Sequence, residues 1–224
     1  MSTATTQFKA AGSADDSSAV PLGYKRTEVG MIPDNWEVFS IGELFDFLRT
    51  ASNSRDDLSD TGAIAYVHYG DIHTRFHHFI DFSGDDVPHL LLGKGVTATR
   101  LRDGDLIVAD ASEDEVGVGK SVEVRRLGAI EAVAGLHTLL LRSKNRRIPN
   151  GYRAYLLEKP PVKIQLRRVA TGLKVFGISK RSLRDVRIPL PPPPEQRAIA
   201  EALSDADGLL GALEALIAKK RAIK

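Results

Sequence analysis

Six short runs rich in β-branched, aromatic and aliphatic residues follow one another through the middle of the chain. Glycine and aspartate separate them, with glycines at 104, 117, 119, 128 and 135. Runs of this length between turn-forming residues are typical of strands, so the pattern predicts a mainly β sheet or a partial barrel. The predicted strands span residues 63–68, 76–81, 105–109, 120–125, 129–133 and 138–142.

Two other segments favour short helices. Residues 41–48 carry apolar side chains at mixed spacing, and Ser40 with Glu43 three positions later has the pattern of a capping box. Residues 150–157 favour a second helix, which we expect Pro160 and Pro161 to end, because the residue before a proline avoids the helical conformation. The spacing at 162–169 fits either a strand or a helix.

The proline content near residue 190 predicts a boundary. Pro189 and the four prolines at 191–194 are expected to form an extended, semi-rigid joint, because proline is excluded from helix interiors and central strands. At the other end, residues 1–20 contain few large apolar side chains to offset the entropy lost on ordering, so we expect a disordered tail. A globular domain is therefore predicted at 21–188, a joint at 189–194 and a separate segment at 195–224.

The last segment has the pattern of one long helix. It contains no proline, and its apolar residues step alternately by four and three positions, which is a coiled-coil heptad. At 1.5 Å per residue the helix would be roughly 45 Å long. Although a C-terminal helix more commonly packs on its own domain, the strict spacing and the proline joint favour packing against a second helix. The predicted seam is Ile199, Leu203, Leu210, Leu213 and Ile217.

Together these patterns predict an α+β fold, in which a mainly β domain with short helices is followed by a long C-terminal coiled-coil-type helix. Composition narrows the class further. The chain has 224 residues and no cysteine, which excludes disulfides, thiolate nucleophiles and cysteine-ligated zinc. No apolar run approaches the roughly 18 residues that a membrane span requires, and the first twenty residues lack the apolar core of a secretory signal. We therefore expect a cytoplasmic protein without a membrane partner.

The net charge of +2 averages two opposite regions. Between Arg142 and Arg187 there are fourteen Lys or Arg residues against Glu158 and Asp185, a local charge of +12. A basic block of this density is expected of a surface that binds a polyanion, and nucleic acid is the favoured partner. The alternative is a solvated surface whose cations pair with the acidic stretch at 56–115.

Residues 117–121 look like the end of a phosphate-binding loop, but the complete pattern needs a glycine at the position of Asp114. Glu113 and Glu115 would also repel phosphates, which excludes nucleotide hydrolysis. Lys120 is better placed in a hairpin turn, as a candidate contact to a DNA phosphate. A polar loop with His73, Thr74, Arg75 and His77 could read base edges or be an ordinary hairpin. Its histidines lack the spacing of a zinc site, so no metal or cofactor site is predicted.

Several carboxylates leave one enzymatic alternative open. Asp105, Asp110 and Glu113 would be the ligands of a stand-alone Mg²⁺-dependent DNA nuclease. The tight Glu-x-Lys element typical of such sites is absent, and neither a nucleophile elbow nor a methyltransferase motif occurs. No catalytic residue is therefore predicted.

From Gly23 to Lys224 the order of motifs resembles the specificity (S) subunits of type I restriction-modification systems. The most specific match is IPLPPPPEQRAIA at 188–200, which resembles the opening of the helical spacer of that family. The other matching segments are 23–38, where a target-recognition domain would begin, 69–72 and 104–108 with their Gly-Asp pairs, 132–142, and 171–183.

The resemblance implies a non-catalytic subunit that recognises double-stranded DNA and holds methyltransferase (M) subunits. S-adenosylmethionine would be bound by those subunits, and a restriction (R) subunit could join them. Family members usually have two recognition domains and two spacers, whereas this chain has one of each. We therefore expect a half-subunit or a piece of a longer chain, which pairs as a homodimer or with a second half. The predicted DNA contacts are Lys120, Arg167, Arg168, Lys174, Lys180, Arg181, His73 and Arg75.

Overall fold

The computed structural model describes residues 20–172 and 174–223. The predicted disordered tail at 1–20 therefore lies outside the described residues, except for Val20. The strands within the described part are β1 Tyr24–Thr27, β2 Gly30–Pro33, β3 Glu37–Ser40, β4 Phe45–Leu48, β5 Leu58–Ser59, β6 Ala65–Val67, β7 Phe79–Asp81, β8 His89–Leu90, β9 Leu106–Ala109, β10 Ala111–Ser112, β11 Ser121–Arg125, β12 Ala132–Ala134, β13 Thr138–Ser143, β14 Phe176–Gly177 and β15 Arg187–Leu190.

Helices occupy the rest of the regular structure. The α-helices are α1 Ile41–Leu44, α2 Tyr69–Thr74, α3 Pro160–Val169, α4 Lys180–Asp185 and α5 Pro193–Ala222, with 3₁₀ turns at Arg55–Asp57 and Arg153–Glu158. The predicted α+β class with a long C-terminal helix is confirmed. No helix in the described ranges is both long and apolar enough to cross a membrane.

Two sheets form the centre of the domain. The larger has the strand order β4-β13-β9-β11-β7, and the smaller has the order β12-β6-β8-β5. The central strand β9 is buried along its whole length, and its side chains alternate between two cores. Leu106 and Val108 pack with α3 and α4 on one face, whereas Ile107 and Ala109 face the second core. All six predicted strands are present, with ends shifted by up to three residues.

The helix predicted at 41–48 is only half as long. Its capping box is present, because the Glu43 N–H donates to Ser40 Oγ over 3.2 Å and the Ser40 N–H donates to Glu43 Oε2 over 2.6 Å. The helix ends at Leu44, and β4 follows it and pairs with β13 at the edge of the larger sheet. Sheet pairing overrides the helical spacing here, and Phe45 is buried at the start of the strand.

The helix predicted at 150–157 is present as a shorter 3₁₀ helix, Arg153–Glu158, which ends just before Pro160. Pro160 and Pro161 were expected only to end it, but they also begin α3. Proline suits the first turn of a helix, because the N–H that it lacks has no partner there. The undecided segment 162–169 is therefore helical, with Val162 and Leu166 buried.

The extended joint predicted at 189–194 is also corrected. Pro189 lies in β15, paired with Val38 of β3, and Pro193 and Pro194 form the first turn of α5. This two-stranded pairing leaves β15 at an edge, where proline is tolerated. Only Pro191 and Pro192 connect strand to helix, so the link is short. The wider division into domains stays a prediction.

The first half of α5 packs on the domain. Gln196 and Ala200 are buried, and Ile199 contacts the core that lies beneath α3 and α4. At the start of the helix the Trp36 indole donates to the Glu195 carboxylate over 3.2 Å. The last of these contacts is at Asp207, which accepts hydrogen bonds from Tyr155 and His78. Beyond that residue the helix is exposed.

Candidate nucleic-acid interface

Two loops and helix α2 meet at one end of the two sheets. β9 ends at Ala109, directly opposite Thr138 at the start of β13, and Val108 pairs with Ser121 at the start of β11. The loop 110–120 and the turn 135–137 are therefore neighbours. In the smaller sheet, parallel pairing of β6 with β12 places α2 at the same end. Loops gathered at the end of a rigid sheet are a common position for binding residues.

Buried polar contacts hold α2 in place. His68 Nδ1 accepts the Gly70 N–H over 3.2 Å and so caps the helix, and burial lowers the pKa of this histidine. The buried Asp71 carboxylate accepts two hydrogen bonds from Arg55, at 2.9 and 3.1 Å. Two residues later His73 Nε2 lies 2.8 Å from the carbonyl oxygen of Ala111, which requires the nitrogen to carry the proton. These contacts fix α2 against the loop 110–120.

A third loop, the one that precedes β14, joins this end because two short strands pair. β10 pairs with β14, and the Ile178 N–H donates to the carbonyl oxygen of Asp110 over 2.8 Å. Thr171 and Gly177 exchange two backbone hydrogen bonds, so the segment between them is a closed loop. Lys174 is exposed on this loop. A residue distant in sequence is thus placed beside the loop 110–120.

A groove of about 760 Å³ runs between α2, the loop 110–120 and α3. Three of the predicted contacts, His73, Lys120 and Arg167, line it together with Lys163. The Lys120 ammonium donates to the carbonyl oxygen of His73 over 2.9 Å. Burial lowers the pKa of Lys120, and nearby Glu158 partly opposes the shift. Hydrogen-bond donors from α2, from the loop 110–120 and from α3 therefore line the same groove.

The other predicted contacts lie outside this groove. Arg75 donates to the backbone and carboxylate of Asp86 and does not line it. Lys180 and Arg181 belong to α4, where the Lys180 ammonium lies 5.6 Å from the Phe47 ring centroid. Arg168 is exposed next to Arg167 on α3. None of these placements tests DNA contact, so the residue assignments stay predictions.

The basic block does not form one face. Arg142 forms a buried pair with Asp105, at 2.7 Å, and Arg153 donates to the carbonyl oxygens of Gly104 and Ile148. Lys159 is buried against Trp36, and burial lowers the pKa of its ammonium to about 8. These cations stabilise contacts within the domain. The charge of +12 between residues 142 and 187 is therefore larger than the charge available to bind a polyanion.

Pairing with the acidic stretch at 56–115 does not account for the block either. Among the described cations of the block itself, only Arg142 forms an ion pair with a carboxylate of that stretch. Six exposed cations remain between residues 167 and 184, with no acidic residue among them, at positions 167, 168, 174, 180, 181 and 184. This shorter segment is the basic surface that the fold leaves free.

The carboxylates of the nuclease alternative do not come together. Asp105 precedes β9 and is bound by Arg142, whereas Asp110 follows β9 and lies 3.4 Å from His137. Burial raises the pKa of Asp110. Glu113 is exposed on the following loop. In the described ranges no group of three His, Asp or Glu residues could hold a metal ion, and nothing favours the nuclease.

Sequence reasoning missed three residues at this end. Lys163 lines the groove one helical turn before Arg167, a spacing that could be used only once α3 was known to be a helix. Tyr69 contacts the His137 ring at 5.3 Å between centroids. His137 has a φ of 55°, which is uncommon outside glycine, and no local signal predicts it.

The predicted helix seam divides into two parts. Ile199 and Leu203 line a second, mainly apolar groove of about 380 Å³, together with Met31, Trp36 and Tyr155. This end of the seam therefore packs beside the domain, which corrects the expectation that the whole stripe faces another helix. Leu210, Leu213 and Ile217 are about half exposed.

Two curated proteins of known name are similar in sequence to this chain. No protein-family model matches the chain. A Methanocaldococcus jannaschii protein named as the MjaX specificity subunit of a type I restriction enzyme is 28% identical over 191 residues, which is 85% of this chain and 44% of that protein. The MjaVIII specificity subunit of the same organism is 26% identical over 197 residues, 84% of this chain and 43% of that protein. The chain thus spans about half the length of the curated relatives it matches.

Solved structures share the fold. The HsdS subunit from Thermoanaerobacter tengcongensis has a TM-score of 0.56 at 18% identity, covering 86% of this chain and 42% of that one. The type I restriction-modification S subunit from M. genitalium has a TM-score of 0.54 at 18% identity, covering 84% and 43%. A chain from a study of type I complex assembly reaches 0.58 at 19% identity, covering 85% and 43%. The predicted resemblance to type I specificity subunits is confirmed.

Proposed function

We propose that this chain recognises a specific double-stranded DNA sequence as one half of a type I restriction-modification specificity subunit. The observation that carries the proposal is the similarity to two specificity subunits along about 85% of the chain. The groove and the six free cations at 167–184 support it, because phosphate contacts position a protein on DNA while groove contacts read the bases.

The partners follow from the same proposal. Methyltransferase subunits would bind the chain and supply S-adenosylmethionine and the chemistry, and a restriction subunit could join the complex in the cytoplasm. The chain itself would choose the site and catalyse nothing. Incubation of the purified chain with DNA, Mg²⁺ and S-adenosylmethionine should therefore give neither cleavage nor methylation, whereas addition of the methyltransferase subunits should allow methylation.

A second copy, or the second half of a longer chain, would pack along α5. The exposed stripe from Leu209 to Ile217 supports this pairing, because each large apolar side chain gains roughly 1.5–3 kcal/mol on burial. Charge favours an antiparallel arrangement. The first half of α5 is acidic, with carboxylates at 195, 201, 205 and 207 against Arg197, whereas the end is basic, with cations at 219, 220 and 221 against Glu214. Antiparallel helices bring these opposite charges together.

Salt-dependent DNA binding tests the recognition surface. Replacing Arg168 and Lys174, which are exposed outside the groove, by Ala should weaken binding and reduce the slope of log K against log salt by about 2, since each phosphate contact contributes roughly 0.9. Fluorescence anisotropy with a labelled duplex measures both quantities.

The matched control removes the same charge elsewhere. Arg146 and Arg197 are exposed and line other grooves, so their double Ala variant should retain the slope of the unmodified chain. Equal slopes for all three proteins would place the DNA away from α3 and the Lys174 loop. Absence of DNA binding by the unmodified chain, alone and with methyltransferase subunits, would contradict the proposed function.

A further inference from the structure

The loop between β10 and β11 carries an acidic tip beside the groove. Its hydrogen bonds hold the tip in shape: the Gly117 N–H donates to Asp114 Oδ1 over 2.6 Å, and the Asp114 N–H donates to Ser112 Oγ over 3.3 Å. Glu113 and Glu115 are exposed and form no ion pair within the described part of the chain. Next to them Val116 is 67% exposed. The tip thus offers carboxylates and one apolar side chain to whatever enters the groove.

The groove as a whole is close to electrically neutral. Three cations line it, Lys120, Lys163 and Arg167, and three carboxylates oppose them, at 113, 114 and 158. The cation and carboxylate of Lys163 and Glu158 are already paired at 3.0 Å. A phosphate would therefore gain little attraction there and would meet the acidic tip. Base edges, which present both donors and acceptors without net charge, fit the groove better.

A buried hydroxyl gives independent support for a polar ligand. Ser121 lines the same groove with 3% of its surface exposed, and its Oγ has no hydrogen-bond partner among the described residues. Buried polar atoms are nearly always paired, so one left unpaired beside a groove indicates a missing partner. Ser121 begins β11, directly after Lys120.

We propose that the acidic tip at 113–116 determines specificity, by selecting cytosine or adenine over guanine or thymine at one position of one DNA strand, through the exocyclic amino group that these two bases present in the major groove. Ionised carboxylates only accept hydrogen bonds, so they favour the N4 amino group of cytosine and the N6 amino group of adenine. They repel the O6 and N7 acceptors of guanine and the O4 of thymine. Val116 adds an apolar contact that suits the C5 side of a pyrimidine. The inference rests on the proposed function and adds the chemistry of one recognised position.

Selection from a randomised duplex library tests the inference. The complete chain, with methyltransferase subunits if binding requires them, is compared with the double variant Glu113→Gln/Asp114→Asn. The amide oxygen that this variant carries at position 114 can still accept the Gly117 N–H, so the loop should stay closed. The control is Glu131→Gln/Glu201→Gln, which removes two exposed carboxylates elsewhere, one at the far end of β12 and one on α5.

The tip variant should lose roughly tenfold or more of its preference for cytosine or adenine at one position, and should bind random duplex a few-fold more tightly. The control should keep the sequence preference of the unmodified chain. If the tip variant enriches the same bases at the same ratio, the tip does not read DNA, while sequence-specific recognition still stands. If the unmodified chain enriches no sequence, the proposed function and this inference both fail.

Discussion

The protonation of Glu123 is determined by its surroundings in the folded protein. It lies within β11 between two valines, where it is 1% exposed, and its carboxylate accepts the N–H groups of Gly151 and Ala154 over 2.6 and 3.0 Å. It thereby satisfies backbone donors at the start of the 3₁₀ turn Arg153–Glu158. Burial nevertheless raises the pKa of this carboxyl to about 7, because removal from water penalises the charged form more than the two hydrogen bonds favour it.

This raised pKa predicts a dependence of stability on pH. In the unfolded chain the group titrates near 4.5, so its contribution is fully present below that pH and is lost as the pH rises through about 7. Glu123→Gln resembles the protonated form and should remove the dependence. The unfolding free energy of the variant minus that of the unmodified chain should rise by about 3 kcal/mol between pH 4.5 and 8.

Urea unfolding at several pH values measures this difference. Glu131→Gln is the control, because Glu131 is an exposed carboxylate paired with Arg100 and such surface pairs contribute little. Its unfolding free energy should run parallel to that of the unmodified chain. A parallel curve for Glu123→Gln as well would show that the buried carboxyl is not protonated in the folded state.

At the scale of elements, α5 has two different environments along one helix. Up to Asp207 it is bound to the domain, and from Leu209 onwards its large apolar side chains are exposed. The heptad spacing is continuous through both parts, so the sequence pattern alone cannot divide them. The domain supplies the packing for Ile199, and a second helix is needed only for the distal stripe.

Two substitutions in the distal stripe test that division. Leu210→Glu/Leu213→Glu should convert a dimer into monomers, because each glutamate would bring a charge into the helix interface. Ala212→Glu/Ala215→Glu places the same charges on the same turns outside the seam and should leave the dimer intact. Sedimentation velocity measures the outcome. An unmodified chain that is monomeric at tens of micromolar would contradict the homodimer but not pairing with a second half in a longer chain.

At the scale of the whole molecule, the groove is tied directly to the long helix. His78 lines the groove and its Nδ1 lies 2.8 Å from Asp207 of α5, while Tyr155 donates to the same carboxylate over 2.7 Å. Burial and this hydrogen bond raise the pKa of Tyr155, which keeps its hydroxyl proton on the donor side. The orientation of the groove relative to the helix is therefore determined by side-chain contacts.

A fixed orientation predicts the form of the DNA target. Two identical copies related by a twofold axis should select two half-sites as an inverted repeat with one constant spacing. Asp207→Ala removes the two hydrogen bonds that hold the middle of α5 to His78 and Tyr155, and it should broaden the range of spacings while each half-site keeps its sequence. Library selection followed by sequencing measures the spacing. Direct repeats, or a single half-site, would contradict a twofold arrangement.

The sequence by itself determined the elements whose signals are local. The short apolar runs between glycine and aspartate identified the six strands, Ser40 with Glu43 identified the start of α1, and the heptad identified α5. These predictions succeeded because periodicity and capping depend on neighbours a few positions away. The order of the motifs was also enough to indicate the family resemblance.

The tertiary structure decided what depends on distant contacts. It paired β4 with β13, which shortened α1, and it used Pro189 in a strand and Pro193 in a helix where the sequence predicted one joint. It also paired part of the basic block with groups inside the domain, and it brought His73, Lys120 and Arg167 together around one groove. Charge counted along a sequence carries no information on which cations face water, because burial and pairing are set by residues far away in the chain.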